Sequence, residues 1–327
     1  MRLGIFVILI GLIGAAAFGY AKSVYSAPGP LAQSRVIEVP KGASVSSIAA
    51  RLERDGVIGS AFAFKLAARV RGDAASLKAG DYEVSPEASL EDVLDAIAGG
   101  AAIEHRVTVA EGLTSAEIVA LVEASEVLVG EIEERPAEGS LAPDTYFVRR
   151  GETRAAVIER MQRAQETILQ AAWATRQEDL PLATKEEALI LASIIEKETG
   201  VAGERREVAS VFVNRLRKPM RLETDPTVIY GITRGDGPLG RQLTRKDVRT
   251  PSDYNTYTID GLPPTPIANP GRASIEAALN PADTPYFFFV ADGTGGHAFS
   301  KTYAEHRRNV DKWRKFRAAQ DAAARGG

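Results

Sequence analysis

The sequence predicts an α+β protein built as an N-terminal membrane helix, a small α/β module and a larger mixed α+β domain. Three observations carry this expectation. Residues 3–20, LGIFVILIGLIGAAAFGY, are uncharged and apolar over about the ~20 residues that a bilayer core needs. From residue 36 onward, short runs of period two alternate with short runs of helical period, each bounded by Gly, Pro, Ser or Asp. Residues 184–200, TKEEALILASIIEKETG, read as a buried helix that ends in carboxylates, an arrangement costly enough to ask what it is for. With 327 residues, 45% hydrophobic and 25% charged, the chain has material for two folded units.

Arg2 precedes the apolar run and Lys22 follows it. Gly19, Tyr20 and Ala21 could form a small-residue cleavage site, but the run exceeds the usual signal-peptide core and its basic flank is thin. Residues 1–22 are therefore read as a retained anchor. Residues 23–35, with Pro28, Gly29 and Pro30, form a linker. Residues 36–104 form the small module. An extended run over 36–39 leads to a helix over 44–55 with Val45, Ile48 and Leu52 on one face, then a second helix over 60–71. Residues 78–84 are extended, and Ser89 with Asp92 opens a third helix that closes at Gly99 and Gly100. No catalytic cluster is visible there, which suits an accessory role.

Residues 105–327 form the larger domain. Ile103, His105, Val107 and Val109 alternate, so His105 is read as a strand residue. Thr114 and Glu117 have capping-box spacing. After the loop EGSLAPDTY (138–146), a long helix over 153–176 carries Val157, Met161, Ala164 and Ile168 as an apolar stripe. In the 184–200 helix, Thr184 and Glu187 mark the start and Gly200 a C-cap, and the residues between are apolar on every face. A carboxylate at such a C-terminus loses solvation and feels the negative end of the dipole, and both effects raise its pKa. Glu196 and Glu198 qualify equally by spacing.

Residues 205–217 are helical. In RLETDPTVIYG (221–231), Asp225-Pro226 reads as an N-cap followed by proline at the first helical position. The segment 254–271, YNTYTIDGLPPTPIANPG, has a path stiffened by its prolines. Tyr254, Asn255 and Tyr257 are residue types that hold a sugar by ring contact and hydrogen bonds. They serve equally in a stiff loop whose tyrosines pack on the core. Residues 286–300 read as a hairpin containing His297, and a basic helix runs from 302 to the end.

A net charge of −3 gives no electrostatic support for nucleic-acid binding. The absence of cysteine removes thiolate chemistry, and His105, His297 and His306 are too scattered for a histidine-rich metal site.

The blocks ASIIEKET, VASVFVNRL, MRLETDPTVIYG, YNTYTIDGLPPTPIANPG and YFFFVADGTGGHAFS, in this order, resemble the endolytic murein transglycosylases of the MltG/YceG-like type. The resemblance implies a single-pass protein of the cytoplasmic (inner) membrane with a LysM-like module and an extracytoplasmic catalytic domain. The implied reaction is a non-hydrolytic lyase cleavage of the β-1,4 bond from N-acetylmuramic acid to N-acetylglucosamine in nascent strands, giving 1,6-anhydro ends and ending elongation. Peptidoglycan glycan strands, the membrane and cell-wall synthases are the implied partners, and no cofactor or metal is needed. The family's catalytic glutamate is taken as the first of the EKET motif, which is Glu196 here. Thr224, Asp225, Tyr254, Asn255 and Tyr257 are the expected substrate-binding residues. Ser140 and Ala142 replace aromatic residues of the family's EG-x-x-x-PDTY loop, Thr265 stands where glycine is frequent and Glu223 where glutamine is.

Two rival readings remain at the level of sequence. A peptidoglycan hydrolase would pair Glu196 with a second carboxylate among Glu198, Glu223 and Asp225. A membrane-anchored glycan-binding scaffold would make Glu196 merely structural.

Overall fold

The computed structural model describes residues 22–326 together with Leu12, Gly19 and Tyr20. Apart from those three residues, the membrane helix expected over 3–20 lies outside the described chain. Among the described residues no helix is long and apolar enough to cross a membrane. Helices and short strands are mixed, as an α+β chain requires. The chain divides into one unit of Met1–Arg106, Glu126–Val129 and Phe147–Thr153 and a second of Val107–Ser125, Gly130–Tyr146 and Arg154–Gly327.

In the first unit, β1 (Arg35–Val39) pairs antiparallel with β2 (Gly80–Val84), with Ile37 opposite Tyr82. Helices α1 (Val45–Arg54) and α2 (Ala61–Arg71) lie between these strands in sequence, and α3 (Leu90–Gly99) follows. Each helix starts at a serine whose hydroxyl accepts a first-turn N–H: Ser44 from Ser47, Ser60 from Ala63, and Ser89 from Asp92 within a full capping box. The apolar faces meet in one core containing Ile48, Leu52, Phe64, Tyr82, Leu94 and Ile97. Asp81 is buried, and its charge is matched by Arg150 Nε at 2.7 Å and His105 Nε2 at 2.8 Å. His105 thus has a structural partner inside this unit.

A second ribbon pairs β3 (His105–Thr108) with β4 (Thr145–Val148). In the second unit, the capping box of Thr114 and Glu117 opens α4 (Ser115–Glu123), and α5 (Arg154–Ala174) is the long amphipathic helix. Helix α6 (Lys185–Glu198) is the core of the unit, with Ala188, Leu191, Ala192, Ile194 and Ile195 fully buried. Thr184 caps it through Glu187 N–H, whereas Glu187 reaches back to Ala183 N–H and not to Thr184. Its end also departs from expectation: buried Thr199, in extended conformation, is the C-cap, and Gly200 is not left-handed. Extended Thr199 ends the helix, and its hydroxyl accepts Val201 N–H, so no glycine turn is required.

Around α6 are packed α7 (Arg205–Arg217), α8 (Asp225–Thr233), the short α9 (Arg245–Arg249) and α10 (Arg272–Leu279). Thr224, not Asp225, occupies the N-cap of α8, one residue before the expected position. The proline-stiffened segment contributes no strand. It threads Ile267, Ala268 and Asn269 into the interior, where Ile267 N–H donates to Ser193 Oγ of α6 and Asn269 side-chain groups bond Leu113 O, Leu141 N–H and Glu138. Strands β5 (Phe288–Ala291) and β6 (His297–Ser300) form the expected hairpin, followed by α11 (Tyr303–Gly326).

Candidate active site

At 100° per residue, Glu196 and Glu198 project about 200° apart from the last turn of α6. Their surroundings differ accordingly. The Glu196 side chain is only 6% exposed; its Oε2 accepts Gly271 N–H at 2.9 Å and its Oε1 lies 3.8 Å from Arg205 Nη2. Gly271 is the N-cap of α10 and brings no capping side chain of its own, so the Glu196 carboxylate serves that end. Beside it, Lys197 Nζ donates to Gly112 O at 3.0 Å. Glu196 does not line the cavity on the other side of α6.

That cavity, of about 370 Å³, is lined by Glu198, Arg215, Glu223, Asp225, Tyr257 and His306, with Phe212, Leu222, Phe288 and other apolar side chains as walls. Thr224 Oγ1 donates to Glu198 Oε1 in a short hydrogen bond. Thr224 is itself fixed, because its N–H donates to Thr256 Oγ1 at 3.0 Å and its carbonyl accepts from Thr227 Oγ1 at 2.8 Å, with all three threonines buried. Burial pushes the Glu198 carboxyl above the usual carboxylate range and the charge of Asp225 adds to this, while Thr224, His297 and Arg215 oppose it. The shift is the one expected for a carboxylate at this helix end, and it falls on Glu198.

Tyr257 donates its hydroxyl to Asp225 Oδ1 at 2.8 Å, and burial followed by this bond raises its own pKa. Arg215 is fastened by carbonyls: Nε donates to Phe287 O at 2.7 Å, and Nη1 to Leu222 O at 2.9 Å and Arg221 O at 3.1 Å. Its pKa is lowered by burial, and the Glu223 carboxylate at 3.4 Å acts against this. Glu223 holds φ of +51°, a left-handed conformation that a non-glycine residue adopts at a cost of about 1 kcal/mol or more. From α11, His306 stacks on Phe288 at 5.3 Å between ring centres. Burial and then the Arg215 charge depress its pKa, which favours neutral imidazole.

Three expected residues therefore surround Glu198, namely Thr224, Asp225 and Tyr257. The other two lie outside the cavity lining. Tyr254 packs on Tyr230, 5.1 Å between ring centres, and its hydroxyl bonds Thr265 at 2.8 Å. Asn255 is buried, with Nδ2 on Val248 O and Thr250 O and Oδ1 on Tyr257 N–H. Arg215 and His306 were not expected in the site. Arg215 sits in the VNRL block with no local sign of burial, and His306 lies on a helix that reads as basic and solvated. Among the described residues, no group of three or more His, Cys, Asp or Glu is arranged to hold a metal ion.

The model of the YceG-like family matches residues 37–312, a span that contains every residue of this cavity. The chain belongs to the YceG-like family. A Bacillus subtilis protein named endolytic murein transglycosylase is 31% identical over 92% of this chain and 91% of its own length. A Streptococcus pneumoniae protein of the same name is 27% identical over 93% of this chain and 64% of its own. A 2.6 Å crystal structure of a yceG-like protein from Listeria monocytogenes superposes with a TM-score of 0.53 at 31% identity, covering 84% of this chain and 98% of that one.

Proposed function

We propose that this protein is an endolytic murein transglycosylase, a lyase acting on peptidoglycan glycan strands, with Glu198 as its proton donor and acceptor. The observation that carries the role of Glu198 is its environment: a carboxyl with a raised pKa, oriented by Thr224 and facing a cavity that also presents Tyr257, Asp225 and Arg215. The activity follows the relatives bearing that name, which align over most of the chain.

Protonated Glu198 gives its proton to the glycosidic oxygen as the bond from N-acetylmuramic acid C1 to N-acetylglucosamine O4 breaks through an oxocarbenium-like state. The muramic C6 hydroxyl then attacks C1, and its proton returns to the Glu198 carboxylate. The 1,6-anhydro bond forms, no water is consumed, and the acid is regenerated. Tyr257 and Asp225 are assigned to sugar hydroxyls, and Arg215 to fixing the wall that carries Phe288 and Leu222. Asn255 positions Tyr257 by accepting its N–H, and Tyr254 is assigned to packing on Tyr230. Glu196, the expected catalytic residue, is assigned instead to capping α10.

Asp225 favours one rival, because it shares the cavity with Glu198 and could serve as the second carboxylate of a hydrolase. Mass spectrometry of products from purified strands separates the two. The lyase gives ends lighter by one water, and reducing ends as the main product would overturn it.

The apolar run over 3–20 supports a single-pass anchor in the cytoplasmic membrane with the catalytic unit outside, beside the synthases that make the strands. The order β1, α1, α2, β2 with its antiparallel pair supports a LysM-like reading of the first unit. A fractionation that left the full chain in the soluble extract would contradict the anchor.

A further inference from the structure

A second cavity, of about 760 Å³, is lined by Arg205 and Arg206 from α7, Arg272 and Glu276 from α10, Ala171 and Ala172 from the last turn of α5, and Thr175 just after it. It has no part in the chemistry above. Three guanidinium groups line it with one carboxylate, Glu276, and two further carboxylates approach only Arg205, so the donors left for a ligand are those of Arg206 and Arg272. Arg205 Nη2 is drawn toward Glu111 at 3.3 Å and Glu196 at 3.8 Å, while its buried Nε has no partner. Arg206 spends Nε on Asn280 O at 2.8 Å, and among the described residues its terminal nitrogens have none. Arg272 lies 3.9 Å from Glu276, a long contact between exposed groups. Arginines in the first turns of α7 and α10 also oppose the positive end of each helix dipole, so local stability does not explain them. The remaining lining is Ala202, Ala273, Ala277 and Asn280, small side chains that leave room for a flexible chain between the charges.

We propose that this cavity binds a carboxylate of the peptide attached to the glycan strand. The proposal rests on the murein reading. Peptides branch from the lactyl group of muramic acid and end in, or carry, free carboxylates, and the planar fork of arginine binds these in bidentate fashion. Arg205 sits on the Glu196 side of α6, away from Glu198, but it and Phe212 of the first cavity are seven residues apart on α7, roughly 10 Å along the helix, a separation that an extended glycan strand spans. A strand held at Glu198 can thus lay a neighbouring peptide against the arginines, which makes the enzyme select strands whose peptides retain their acids.

The test is calorimetric binding of N-acetylmuramyl-L-alanyl-D-glutamate and of its diamide, in which both carboxyls of the terminal glutamate are amidated, to the full chain in detergent. The acid should bind about tenfold more tightly than the amide, and an Arg206→Gln, Arg272→Gln double variant should lose that preference. Equal binding of acid and amide by the wild type overturns the proposal, as does a preference that survives the double substitution. Inorganic phosphate displacing the acid at lower concentration than the acid itself saturates would overturn the carboxylate assignment. If the variant does not fold, the wild-type ratio decides alone. Anhydro product formation from peptide-free strands is scored separately, so loss of the lyase reading and loss of this site give different results.

Discussion

Ionising Glu198 places a charge among Phe212, Leu222 and Phe288, and the fold resists it. Since its folded pKa is raised above the unfolded value of about 4.3, the neutral form is the one the native state favours. That contribution is fully present below the unfolded pKa and is lost as pH rises through the folded pKa. Glu198→Gln removes the charge and keeps an acceptor for Thr224. It should therefore raise the melting temperature at pH 8 by about 2–4 °C and leave it unchanged near pH 4, as scanning calorimetry would show. The same direction governs catalysis, because the acid form starts the reaction. Turnover should fall as pH rises through the Glu198 pKa, and a rate still climbing in alkaline buffer would contradict the assignment. Tyr257→Phe deletes the hydroxyl bonded to Asp225 and should lower turnover about tenfold with the fold intact, measured by product release.

At the scale of elements, α6 was legible almost to its ends, because a threonine cap and an all-round apolar sequence allow few other structures. The choice between its two glutamates was not. Both sit on the last turn, and what separates them is Gly271 on one side and Thr224 on the other, each brought in from far along the chain. The proline-stiffened segment was likewise readable as rigid but not as buried. Gly139 shows how closely it is seated: at φ of +80°, an added Cβ would lie 2.7 Å from the Pro266 ring. Gly139→Ala should cost about 1–3 kcal/mol in urea unfolding, and a neutral result would mean that the segment is free to move. Helix α11 read as a polar tail, yet its first turns deliver Tyr303 and His306 to the cavity. Removing residues 319–327 should leave turnover unchanged, while ending the chain after Ser300 should abolish it.

Across the whole molecule, the sequence blocks identified the family more easily than they identified the site. Motifs record which residues travel together, but Thr224, Asp225 and Tyr257 turn to Glu198 only because α8 and the segment after α9 close over the end of α6. The returning segment Phe147–Thr153, which supplies Arg150 to Asp81 in the first unit, was invisible to any reading along the chain, since that pairing spans 69 residues. The central claim is that chemistry belongs to Glu198 and helix capping to Glu196. The most direct test is anhydro product formation by Glu198→Gln and Glu196→Gln side by side, each shown to be folded by circular dichroism. Glu198→Gln should lose about 10²–10⁴-fold in turnover while Glu196→Gln, which still accepts the Gly271 N–H, stays within a few-fold of wild type. The opposite ranking, with Glu196→Gln inactive and Glu198→Gln active, would contradict it.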